Sequence, residues 1–102
     1  MADISSNQLK IIHSILLSYL PQCTTVWVFG SRVEKAPKKY SDLDLIIDCN
    51  SSPISDLILI NLREAFDESD LPYKVDLVDW NTLSQSFKNQ IQNKELLLEI
   101  LS

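Results

Sequence analysis

Residues 42–49, DLDLIIDC, constrain this chain more than any other stretch. β-Branched and aliphatic residues alternate there with carboxylates, and side chains at i and i+2 of a strand point to the same face. Leu43, Leu45, Ile47 and Cys49 therefore line one face, and Asp42, Asp44, Ile46 and Asp48 the other. Burying the first face obliges the second to carry Asp42 and Asp44 side by side. Oxygen-only ligands so placed suit a hard divalent cation, which usually binds through one or two carboxylates plus substrate phosphates. Asp48 shares the face but lies roughly 13 Å beyond Asp44 at strand rise, too far to join the same ion, and reads as a strand-end residue.

Ten residues upstream of this pair, Gly30-Ser31 closes another apolar run, TTVWVF at residues 24–29, which reads as a strand covered on both faces. Gly30 is the chain's single glycine. It supplies a position where backbone can approach a ligand closely or take positive φ. Ser31 and the next few residues have the composition of a short helical turn whose N–H groups can face phosphates. Arg32, Lys35, Lys38 and Lys39 gather positive charge between the glycine and the aspartates, in a polar, Pro-containing loop.

The remaining elements follow from periodicity. Residues 5–20 read as a helix, with Ser5 and Gln8 at capping-box spacing, an apolar stripe of Leu9, Ile12, Leu16 and Leu20, and Pro21 as its stop. His13 lies on it as a boundary residue. Residues 53–68 predict a second helix, with Pro53 at its first position, Ser52 as its cap, and a buried stripe of Ile54, Leu57, Ile58, Leu62, Ala65 and Phe66. Residues 73–80, YKVDLVDW, form a third strand. Asp76 and Asp79 are three apart, so a regular strand sends them to opposite faces. Asp76 lies deeper, between Val75 and Leu77, where a carboxylate is costly unless paired or metal-bound; Asp79 suits a cap on the next helix. Residues 82–102 read as mainly helical, with a break at 89–93 and a strongly apolar ending.

That order predicts a single α/β domain over residues 1–102, a small mixed sheet with helices packed on it. Three clustered carboxylates, Asp42, Asp44 and Asp76, cannot all ionise without a cation between them. The net charge of −5 argues against stand-alone binding to a nucleic-acid backbone, whose affinity comes from Lys and Arg. No apolar run approaches the roughly 18 residues of a membrane span, and the N-terminus lacks a signal peptide's pattern, so a cytoplasmic protein is expected. Cys23 and Cys49 are not at metal-ligand spacing and are expected to be reduced and packed.

Gly-Ser, ten residues, then Asp-x-Asp resembles the DNA polymerase β-like nucleotidyltransferase superfamily. GSRV, KKYSDLDL and VDLVDW together are similar to the minimal nucleotidyltransferase (MNT) proteins that accompany HEPN proteins in prokaryotic toxin–antitoxin pairs. The resemblance spans residues 27–80. It implies the polymerase β-like fold and transfer of a nucleoside monophosphate, AMP from ATP in the first instance, to a hydroxyl, with release of pyrophosphate. It implies that Asp42, Asp44 and Asp76 hold two Mg²⁺ ions (or Mn²⁺), that Gly30 and Ser31 hold the β- and γ-phosphates, and that Arg32, or equally Lys35 to Lys39, adds charge there. The acceptor it implies is a tyrosine of a HEPN-type helical partner in a hetero-oligomer. Many relatives carry a second glycine just after Gly-Ser-Arg; Val33, Glu34 and Lys35 stand here instead, a departure that touches residues 32–39 rather than the aspartates. The competing expectation is an antitoxin that works by occlusion, using its acidic surface and apolar C-terminal run.

Overall fold

A computed structural model describes residues 4–30, 42–50, 52–91 and 93–101. The helical turn and basic loop expected between Gly30 and Asp42 lie outside these residues.

Helix α1 spans Ser6–Tyr19. Its capping box is formed: Gln8 N donates to Ser5 Oγ at 3.2 Å and Ser5 N to Gln8 Oε1 at 3.4 Å. Ile12 and Leu16 are fully buried. His13 sits at the boundary, its Nε2 3.0 Å from the carbonyl oxygen of Leu97.

Strands β1 (Thr24–Phe29), β2 (Leu43–Asp48) and β3 (Val75–Asp79) follow the expected strands closely. With β4 (Lys94–Ile100) they form one sheet in the order β3-β2-β1-β4. β1 runs antiparallel to both neighbours, and β2 pairs parallel with β3. Thr24, Val26 and Val28, Leu43, Leu45 and Ile47, and Val75 and Leu77 point to one side, where α1 and α2 (Asp56–Asp67) close the core with Leu62 and Phe66. β1 is thus fully covered on this side only. Thr25, Trp27 and Phe29 remain half-buried on the other, contrary to the two-sided cover expected from its continuous apolarity.

The cap of α2 is Ser55, whose Oγ accepts from Ile58 N at 3.2 Å, rather than Ser52. The displacement has a physical cause. Residues 53–55 stay outside the helix, where Ile54 enters the core and gives its N–H to the Asp79 carboxylate at 2.9 Å. Leu57, placed on the buried stripe by periodicity from Ile54, is 67% exposed because the helix starts later. Asp79 caps the 3₁₀ turn Trp80–Thr82, accepting from Asn81 N at 3.1 Å, as its position predicts.

The larger correction is at the C-terminus. Among the described residues after the 3₁₀ turn, only Gln85–Gln90 (α3) is helical; residues 94–100 are strand β4. β1 would otherwise be an open edge with unpaired N–H and C=O groups. The apolar run satisfies that edge, and Leu97, Leu98 and Ile100 pack against the core. A register shift between Val26 and Trp27 of β1 adjusts the pairing. Both cysteines are free, but Cys23 is exposed, in a turn with φ of 63°, and so is not packed as expected. Among the described residues no helix is long and apolar enough to cross a membrane.

Candidate active site on the open face of the sheet

The face turned away from α1 and α2 carries the carboxylates. Burial of Leu43, Leu45 and Ile47 forces Asp44, Ile46 and Asp48 outward on β2. Parallel pairing sets Asp44 directly beside Asp76, and antiparallel pairing sets it beside Phe29, whose successor is Gly30. The glycine, Asp44 and Asp76 come from three separate stretches of sequence, and two ladders bring them into one row.

Gly30 has φ of 78°, which non-glycine residues adopt only at a cost. A Cβ there would collide with Oδ2 of Asp44 and stand 3.3 Å from its Cγ. The turn is therefore in contact with the carboxylate, and both requirements, positive φ and space, select glycine. Ser31 and Arg32 lie outside the described residues.

Asp44 is half-buried, and its carboxyl is held above the usual range. Burial is the main cause, followed by the charges of Asp76 and Asp42 and a hydrogen bond with Asp76. Asp76 is more open and meets Lys74 Nζ at 3.6 Å, a solvent-exposed pair that does little to offset the repulsion from Asp44. Asp42 is exposed, one residue before β2 begins. Among the described residues no three His, Cys, Asp or Glu groups already converge as a closed metal cage. The donor chemistry nevertheless fits a hard cation: oxygen ligands alone, two in one row and a third two residues away, with an ionisation penalty that a positive charge would relieve.

Asp79 turns to the other side and is committed to structure, with the backbone of Ile54 and Asn81 on its two oxygens. Asp48 accepts from Asn81 Nδ2 at 2.8 Å, consistent with a strand-end role.

The open face also holds residues that the sequence reading did not place. Trp27, Trp80, Lys88 and Lys94 come together beyond Asp44, with Lys94 Nζ 5.1 Å from each indole centroid and Lys88 Nζ 4.9 Å from that of Trp80. A usable signal was present for Trp80, which follows Asp76 at strand spacing; Lys94 was hidden by the helical assignment of its segment.

Similar proteins of known kind bear on this arrangement. The chain is similar to the probable protein adenylyltransferase MntA of Haemophilus influenzae, 46% identical over 97 residues, or 95% of this chain and 83% of the relative. A toxin–antitoxin crystal structure with AMP-PNP has the same fold, with TM-score 0.72 and 22% identity over 89% of this chain and 73% of that one. A complex of a tri-AMPylated HEPN toxin with an MNT antitoxin from Shewanella oneidensis gives TM-score 0.65 at 20% identity, over 89% of this chain and 69% of its counterpart. Residues 10–100, which include the Gly30 turn and all three aspartates, match the description "Polymerase beta, Nucleotidyltransferase", and the chain belongs to that family.

Proposed function

We propose that this nucleotidyltransferase moves AMP from ATP onto a hydroxyl of a HEPN-type partner protein, a tyrosine by expectation, and so acts as an antitoxin. The observation that carries the reading is the row formed by Gly30, Asp44 and Asp76. The adenylyltransferase name of the Haemophilus relative and the tri-AMPylated toxin of the Shewanella complex support the choice of AMP and of a protein acceptor.

The reaction joins the acceptor oxygen to the α-phosphorus and breaks the bond to the bridging oxygen. Pyrophosphate leaves, and the hydroxyl proton is lost. Divalent ions, general in this family and here most simply two Mg²⁺, would neutralise charge on the attacking and leaving oxygens. Asp42 and Asp44 would hold them, with Asp76 completing the site on the acceptor side. Gly30 would turn its backbone N–H to the phosphates, Ser31 would complete the cradle, and Arg32 or the lysines at 35, 38 and 39 would add positive charge there. Asp44 must be ionised to act as a ligand, and its raised carboxyl gives it up most readily when positive charge arrives.

The test is transfer from α-labelled ATP in Mg²⁺ to the co-purified partner, with wild type and Asp44→Asn. Label on the partner that vanishes in the variant is expected. Neutralisation of the partner that survives Asp42→Asn/Asp44→Asn, without label, would instead establish occlusion.

A further inference from the structure

Ile46 is completely buried, yet it points away from the core under α1 and α2. Its register partners are Trp27 and Val78. Lys94 and Trp80 arise at opposite edges of the sheet, with β2 and β1 between them. Their meeting within 5.1 Å, with Lys94 also 5.1 Å from Trp27, means that side chains from both edges close over the middle of the sheet. Lys88 of α3 adds a second ammonium on Trp80 at 4.9 Å. A cover for one isoleucine needs only apolar bulk. It does not need two indoles carrying two cations, one of which stands in the same row as Asp44 through Phe29.

The cluster begins one pleat repeat, about 7 Å at strand rise, from Asp44. A nucleotide whose phosphates are held beside the Gly30 turn and the Asp44 carboxylate places its base one ribose away from the α-phosphorus. Indole faces stack on any base, more extensively on the larger purines. Lysine ammoniums only donate hydrogen bonds, which suits the ring nitrogens of a purine edge and the O6/N7 pair of guanine.

We infer that Trp27, Trp80, Lys88 and Lys94 form the base subsite, that it takes purine nucleotides, and that it separates adenine from guanine weakly. The inference rests on the nucleotidyltransferase reading and adds the residues that hold the base. Stacking explains the purine preference, and the two donors explain why guanine is accepted alongside adenine.

The test uses the full chain with Mg²⁺ and four probes, ATP, GTP, CTP and inorganic tripolyphosphate, followed by tryptophan emission and calorimetry. ATP and GTP should quench emission and bind within about threefold of each other, at least fivefold tighter than CTP. Tripolyphosphate should bind without quenching. Trp80→Leu should weaken ATP about tenfold, equivalent to about 1.4 kcal/mol, and leave tripolyphosphate within twofold; Trp80→Phe should restore ATP binding. Equal losses for ATP and tripolyphosphate, or ATP binding with unchanged emission and unchanged affinity in Trp80→Leu, overturn the subsite alone. Absence of binding by every nucleotide to wild type overturns the nucleotidyltransferase reading with it. The wild-type probes decide the matter even if Trp80→Leu fails to fold.

Discussion

Gly30→Ala isolates the contact on which the candidate site depends. Two costs arise. Holding alanine at φ of 78° costs about 1–2 kcal/mol, part of which is returned because alanine restricts the unfolded chain by about 0.4–1 kcal/mol. The new methyl group also collides with the Asp44 carboxylate. Because β1 and β2 are paired through Phe29 and Asp44, the backbone cannot simply part, and Asp44 must leave its rotamer at about 0.5–1.5 kcal/mol. The net loss is about 2 kcal/mol, or roughly 8–16 °C in Tm for a domain of this size. Function should suffer more than stability, since a displacement of about 1 Å at a reacting centre can cost on the order of a hundredfold. Thermal melts by circular dichroism give the first quantity, and label transfer well below Tm the second. The two costs separate in a double-mutant cycle: with Asp44→Ala, the collision is gone and Gly30→Ala should cost about 1 kcal/mol less. The same cost in both backgrounds, together with transfer at the wild-type rate, would refute contact between the turn and the carboxylate.

Three further outcomes are expected. The folded state holds the Asp44 proton more tightly than the unfolded state, so metal-free stability should fall as pH rises from the ordinary carboxylate value of 3.8 through the raised one. Asp44→Asn should therefore be the more stable protein at neutral pH without metal and lose that advantage in acid, as pH-dependent urea melts will show; Mg²⁺ should raise the Tm of wild type and not of the variant. Asp79→Ala leaves the buried N–H of Ile54 without its partner and should cost about 2–3 kcal/mol in urea denaturation, while transfer per folded molecule persists. Asp76→Asn should show the reverse pattern, with near-native urea stability and transfer lowered at least a hundredfold; a larger loss of transfer in Asp79→Ala would exchange the roles of the two aspartates.

The parts of the molecule that obey a short period were legible. Ser5 with Gln8, the stripe of Ile12 and Leu16, and the alternation through residues 43–48 each report their own environment, and each is found as read. Asp76 was separable from Asp79 for the same reason, since three residues along a strand reverse the face. The failures occur where partners distant in sequence decide. Residues 94–100 contain an unbroken Leu96-Leu97-Leu98 run, which satisfies a helical or an extended pattern equally. Only the vacant edge of β1, more than sixty residues earlier, selects the strand. The start of α2 is likewise set by Asp79, which draws Ile54 inward and moves the cap from Ser52 to Ser55.

The same logic explains why the carboxylates lie together without any strong local force holding them. Asp44 and Asp76 repel each other, so their adjacency must be imposed from elsewhere. It is imposed by the other face. Leu43, Leu45 and Ile47 on β2, with Val75 and Leu77 on β3, are buried under α1 and α2. A slip of one residue between the two strands would turn a whole set of apolar groups to solvent and drive Asp76 toward the core. Each buried aliphatic side chain contributes about 1.5–3 kcal/mol, and several act together to hold the register. That is more than enough to outweigh one carboxylate–carboxylate contact in a half-exposed setting. The core thus maintains an electrostatically unfavourable pair, and the binding of a cation there would release a cost that folding has already met.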